Sequence, residues 1–168
     1  MDDAGVRHTK DPEIDEQVRM FGESMRQART RAGLSQVALS EATGLDRAAI
    51  SFLERAERSP DLSTLVRVAR ALELTPSGLL HGIGSGARSI DAPTHKPGSP
   101  PAQRLGANLR AARHGAGLSQ ETLGFEAEVD RAAISVYERG GRGPNLRTVL
   151  KLSRALGLRP SALLADVE

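Results

Sequence analysis

The run Leu34-Ser35-Gln36-Val37-Ala38-Leu39-Ser40-Glu41-Ala42-Thr43-Gly44-Leu45-Asp46-Arg47-Ala48-Ala49-Ile50-Ser51-Phe52-Leu53-Glu54 decides the fold. It reads as a helix, a tight turn and a second helix. Ser35 suits an N-cap, because its hydroxyl can accept from a backbone N–H one turn on. Leu39 and Thr43, four apart, share one face. Gly44 supplies the positive φ that a sharp turn needs. Asp46 then caps a second helix and favours its positive end. Ile50 and Leu53 turn that helix toward a core and leave Arg47, Ala48, Ser51 and Phe52 outward. A short helix with a buried back and a free outer face is the working part of a helix-turn-helix.

The pattern returns 84 positions later. Leu118-Ser119-Gln120 repeats Leu34-Ser35-Gln36, and Asp130-Arg131-Ala132-Ala133-Ile134-Ser135 repeats Asp46 to Ser51 residue for residue. The match runs without a gap from residues 21–84 to residues 105–168, with identity at roughly half the positions. A repeat of this length is a duplicated domain and not a solenoid unit.

Composition agrees with two small helical domains. With 168 residues, each copy has about 60, near the lower limit for independent folding. Aromatic residues make up 2%, so the cores must come from Leu, Val, Ile, Ala and Met. There is no cysteine, which removes disulfides and thiolate metal sites and fits a reducing compartment. No run of about 18 apolar residues exists to span a membrane, and the first residues lack the apolar stretch of a signal peptide. The expected location is cytoplasmic, with the nucleoid. Net charge is +2: about −3 over residues 1–20, +1 over the first copy, +2 over residues 84–104 and +2 over the second copy. That is weakly basic for a nucleic-acid binder, so affinity must depend on where a few arginines point.

Four segments follow. Residues 1–20 are acid-rich and read as a solvated tail. The alternative is that Pro12 opens a helix, because Ile14, Val18 and Phe21 share a helical spacing. Residues 21–83 form the first domain, with helix one over residues 22–32 and a stop at Gly33-Leu34. A fourth helix follows the break at Ser59-Pro60, and a fifth starts at Thr75-Pro76. Residues 84–104, rich in Gly, Ser, Pro and Ala, read as a linker with a flexible span of about 25 Å. That is comparable with one duplex turn of about 34 Å. Residues 105–168 repeat the plan.

These motifs resemble the XRE family, the Cro and cI-repressor-like helix-turn-helix domains. The resemblance rests on Gly-Leu-Ser-Gln, the Asp-Arg-Ala-Ala-Ile-Ser run with its Glu-Arg, the following Pro, the Leu-rich fourth helix and Pro-Ser-x-Leu-Leu, all present twice. It implies an all-α chain of two tandem five-helix, lambda-repressor-like domains, each entering a major groove of double-stranded DNA with its third helix. Carried over by position, Arg47, Ala48, Ser51 and Phe52, and Arg131, Ala132, Ser135 and Val136, would face base edges. Gln36, Arg58, Gln120, Arg142 and Asn145 would approach phosphates. Arg29 with Glu54, and Arg113 with Glu138, would tie helix one to helix three. Arginine can grip guanine through two parallel donors, and an apolar group at Ala48, Phe52 or Val136 can meet a thymine methyl.

The second copy departs from the pattern at Glu128, where the first has Gly44, and gathers Glu121, Glu126 and Asp130 around the motif. Carboxylates beside a phosphate track oppose binding. Arg159 also replaces the Thr75 cap. The leading expectation is a transcriptional regulator, with repression the expected direction and the first domain the stronger reader. The alternative is a protein-interaction module that keeps the fold, the second domain being the readier to have lost DNA. A homodimer or a protein partner stays open. No cofactor, metal, membrane or small-molecule site is indicated. His8, His81, His95 and His114 are scattered, and nothing in the spacing suggests an enzyme.

Overall fold

The computed structural model describes residues 11–88, 90, 93 and 95–168. Among these residues are ten helices and no strand. The first five are α1 (Pro12–Arg31), α2 (Gln36–Thr43), α3 (Arg47–Glu54), α4 (Leu62–Ala71) and α5 (Pro76–Leu79). The second five are α6 (Pro101–Gly115), α7 (Gln120–Ala127), α8 (Arg131–Glu138), α9 (Leu146–Ala155) and α10 (Pro160–Leu163).

Capping sets most of these boundaries. Ser35, Asp46, Asp61, Thr75, Ser119, Asp130 and Asn145 each accept a backbone N–H of the first turn that follows. Leu34 N donates to Arg29 O and Gly33 N to Thr30 O, the paired bonds of a Schellman stop, and Leu118 and Gly117 repeat them. Arg159 makes no side-chain cap for α10.

Two boundaries differ from expectation. Residues 12–20 are not tail. Asp11 caps α1, Pro12 takes its first turn, and Ile14, Val18, Phe21 and Met25 are buried along one stripe. Each such side chain contributes roughly 1.5–3 kcal/mol, which offsets the cost of ordering the added turns. Residues 1–10, and with them His8, lie outside the described residues. The linker also does more than tether. Arg88 N donates to Gly157 O at 3.3 Å, Arg88 Nη2 to Gly115 O at 2.7 Å, and His95 Nε2 stands 3.2 Å from Asn108 Oδ1. The linker's last residues, 101–104, open α6, and Pro and Gly composition shows neither that turn nor where Arg88 and His95 dock.

Within each domain the first and third helices meet backbone to backbone. A Cβ added at Gly22 would stand 2.7 Å from Glu54 O, and one at Gly106 would stand 2.3 Å from Tyr137 O. These glycines set how closely α1 approaches α3 and α6 approaches α8.

The Glu128 turn keeps the first copy's geometry. Glu128 sits at φ 52° and ψ 43°, against 66° and 18° for Gly44. A non-glycine residue held there costs about 1–2 kcal/mol. Its carboxylate meets Lys151 Nζ at 2.9 Å, an exposed pair that returns at most about 1 kcal/mol. Glu128→Gly is therefore expected to stabilise the chain by about 1 kcal/mol. A thermal melt that falls instead would show that the ion pair outweighs the backbone strain.

Candidate nucleic-acid interface

Each domain presents a short exposed edge held from behind. Asp46 Oδ1 accepts from Ala49 N at 2.6 Å and Asp130 Oδ1 from Ala132 N at 2.6 Å, which fixes where α3 and α8 begin. Ile50 and Leu53 beneath α3, and Ile134 and Tyr137 beneath α8, are buried. Arg47, Ala48, Arg131 and Ala132 are exposed, and Ser51, Phe52, Ser135 and Val136 are half-buried on the same outer faces. Arg47, Ala48, Ser51, Phe52 and Arg55 line one shallow depression of about 250 Å³. The base-facing residues expected from sequence thus share one surface in each domain.

One carboxylate per domain orients that surface. Glu54 accepts from Arg29 Nε at 2.5 Å, Arg29 Nη2 at 3.1 Å and Gln36 Nε2 at 2.9 Å. Arg29 Nη1 also donates to Leu34 O at 2.7 Å. Glu138 repeats the arrangement with Arg113 at 2.6 and 3.0 Å and Gln120 at 2.8 Å. The two glutamate side chains are 4% and 5% exposed, so each is a desolvated charge dependent on its partners. Burial pushes each carboxyl up, but the arginine and glutamine hydrogen bonds outweigh it. Both finish below the usual glutamate value. Arg29 with Glu54 and Arg113 with Glu138 thus form ion pairs between α1 and α3 and between α6 and α8.

Gln36 and Gln120, assigned to phosphates, belong to this network. One amide N–H of each is committed to the glutamate, so a phosphate would meet the other or the backbone N–H groups opening α2 and α7. Asn145 is also more occupied than its sequence role suggests. Its Oδ1 accepts from Thr148 N at 2.9 Å and Thr148 Oγ1 at 3.1 Å, capping α9, and its backbone pairs with Asp61 of the first domain. Arg142 is exposed nearby.

Sequence reasoning missed Arg55 and Arg139. Their Nη1 groups donate to Ser51 Oγ and Ser135 Oγ, each at 2.7 Å. The signal was available, since a Ser–Arg pair four apart occurs at the same place in both copies. The copies then diverge. Arg55 Nε also meets Glu57 at 2.6 Å, whereas the second copy has Gly141 at that position. Arg55 and Arg58 both lie over the Phe52 ring, at 5.4 and 4.9 Å from its centroid. Arg58 therefore rests on the Phe52 ring, a cation–π contact. Val136 has no ring for Arg139 or Arg142 to stack on.

Among the described residues no His, Asp and Glu cluster suits a metal ion, and no helix is long and apolar enough to cross a membrane.

Comparison with known proteins matches the family described as Helix-turn-helix, HTH_3, to residues 25–79 and again to 109–163. Control protein C.BamHI of Bacillus amyloliquefaciens is 47% identical over 47 residues, which is 28% of this chain and 58% of that protein. The chain thus spans little more than half the length of that relative. Among solved structures, the restriction-modification controller protein C.AhdI from Aeromonas hydrophila is 36% identical. That alignment covers 38% of this chain and 97% of that one, with a TM-score of 0.38. An HTH_3 family transcriptional regulator from Vibrio cholerae is 28% identical over 40% of this chain and 38% of its own, with a TM-score of 0.39. Two family matches on two copies of one capped helix pair establish that the chain belongs to the XRE-type helix-turn-helix family, HTH_3, and carries its domain twice.

Proposed function

We propose that the protein is a sequence-specific, double-stranded DNA-binding transcriptional regulator that lays α3 and α8 into the major groove. The observation that carries this reading is the exposure of Arg47-Ala48 and Arg131-Ala132 at the leading ends of two helices whose backs are buried. Arg47 and Arg131 supply paired donors for guanine, and Ala48 and Ala132 supply methyls of a size to meet thymine. Arg58, Arg142 and the network-bound Gln36 and Gln120 hold phosphates and set register. Asn145 would add its Nδ2. Repression needs the least beyond the two heads, since occupancy alone obstructs a promoter.

The test is selection of bound duplexes from a random pool by the full chain, followed by titration at several salt concentrations. A defined site should emerge. Its affinity should fall with salt at a log–log slope of about −0.9 for each phosphate neutralised. A salt-independent constant, or no enriched sequence, would remove the reading.

One observation favours a second role for the second domain. Phe125 on α7 is 87% exposed, where the first copy has Glu41. An aromatic ring flanked by the carboxylates of Glu121 and Glu128 suits a protein contact better than a phosphate track, which those carboxylates repel. The alternative, that this domain holds a partner instead of DNA, is separated from the first by the single Arg131→Ala variant considered below.

A further inference from the structure

The two domains are joined by more than a linker, and the joints are related by the repeat itself. Asp61 and Asn145, equivalent positions 84 residues apart, form an antiparallel bridge with each other. Ser77 Oγ donates to the carbonyl of Ser161, again its own equivalent, at 2.9 Å. Helices α5 and α10, another equivalent pair, pack together. Helix α1 packs on α9 while α6 packs on α4, and each contact is the other with the copies exchanged. Self-complementary contact of this kind is the mark of a two-fold axis, here between two halves of one chain. Leu146 N donates to Pro60 O at 2.9 Å and Arg147 N to Ser59 Oγ at 3.2 Å. A Cβ on Gly143 would stand 2.5 Å from the Leu62 side chain.

The axis is decorated on one side only. Arg147 meets Asp15 at 2.5 Å, and Arg154 meets Asp11 at 2.7 Å and Glu13 at 3.3 Å. The repeat places Ser99, His95 and Pro97 at the positions of those acids. The first turn of α1 thus clasps α9 without a reciprocal clasp. The reading faces differ too, with Phe52 under Arg55 and Arg58 on one side and Val136 on the other.

From these joints we infer that one chain is a closed pseudo-dimer that engages one duplex alone. It spans two unlike half-sites whose separation is fixed by the Asp61–Asn145 seam. This rests on the DNA-reading assignment. α3 and α8 each end seven residues before the seam. Neither end can lie farther from the axis than about 25 Å at full extension. Two such limits hold the helix ends within about 50 Å of each other, a range that admits the spacing of about 34 Å between successive major grooves. The surface through which a second copy would pair is already filled by the other half of the same chain.

The experiment uses the full chain and the duplex enriched from the random pool. Sedimentation of the complex is expected to give one chain per duplex, on a site whose halves agree where Arg47 and Arg131 read and differ where Phe52 and Val136 face. Inserting about 5 bp between the halves turns one to the opposite face of the helix, and inserting about 10 bp restores the face at a greater distance. A fixed seam rejects both, with affinity falling about 100-fold as the second head loses its linkage advantage. A slack tether would reject the first and accept the second. Gly143→Leu, which wedges the seam at Leu62, is expected to recover binding to the 10-bp insertion. Two chains per duplex, a palindromic site, or parental affinity for the 10-bp insertion would overturn the inference and leave DNA reading intact. No enriched duplex at all would remove both.

Discussion

Replacing Glu138 with alanine is expected to unfold the second domain or leave it barely folded. The substitution strands Arg113, itself buried, without the carboxylate that receives its Nε and Nη2. It also frees Gln120 from the start of α7. Breaking a buried ion pair from one side costs roughly 3–5 kcal/mol. A domain of about 60 residues has about 3–9 kcal/mol to lose. Glu54→Ala should do the same to the first domain. Urea denaturation followed by circular dichroism checks both, and a loss below about 1 kcal/mol would show the pairs to be no better than surface ones. Acid should reproduce the effect. Both carboxyls sit below the ordinary glutamate value in the folded chain. Their contribution is therefore complete above the unfolded-state value near 4.3 and is lost as pH falls through the lower folded value. Glu54→Gln and Glu138→Gln should flatten that part of the stability–pH profile.

The second large effect falls on binding. Arg47→Ala with Arg131→Ala is expected to weaken the selected duplex by about 2–6 kcal/mol, since each bidentate arginine–guanine pair is worth about 1–3 kcal/mol of discrimination. Both residues are exposed, and Asp46 and Asp130, which cap their helices, are untouched, so the fold should survive. The singles carry the distinction between the copies. Equal losses mean that both heads read. A loss confined to Arg47→Ala means that the second domain has turned to another partner, with Phe125 the surface to examine. Affinity unchanged in the double variant would contradict the base-reading role altogether. Circular dichroism of each variant separates lost binding from lost structure.

Local chemistry was the legible part of the sequence. Ser35, Asp46, Thr75, Ser119 and Asp130 declare helix starts because a short polar side chain before an apolar run has one main use there. The Arg29–Glu54 and Arg113–Glu138 ties came from family resemblance, and the structure supplies their reason in a carboxylate shared with Gln36 and Gln120. The axis between the copies left no such trace. It is built from Pro60 O, Ser77 Oγ, the Ser161 carbonyl and the small size of Gly143, none of which makes a periodic pattern. The backbone pairing of Asn145 with Asp61 left no trace for the same reason, since a loop after helix three carries no pattern that names its partner. The first turns of α1 were hidden by their acids, which suggested solvent but are spent on Arg147 and Arg154 of the other half.

The seam at Asp61 and Asn145 also governs how such a regulator answers to its own abundance. A reader assembled from two separate copies must first find its mate, so its occupancy climbs with the square of protein level while free copies predominate. A molecule that carries both halves skips that step. On the reading proposed here, its occupancy follows the first power of the number of molecules in the cell, giving a graded response without a threshold.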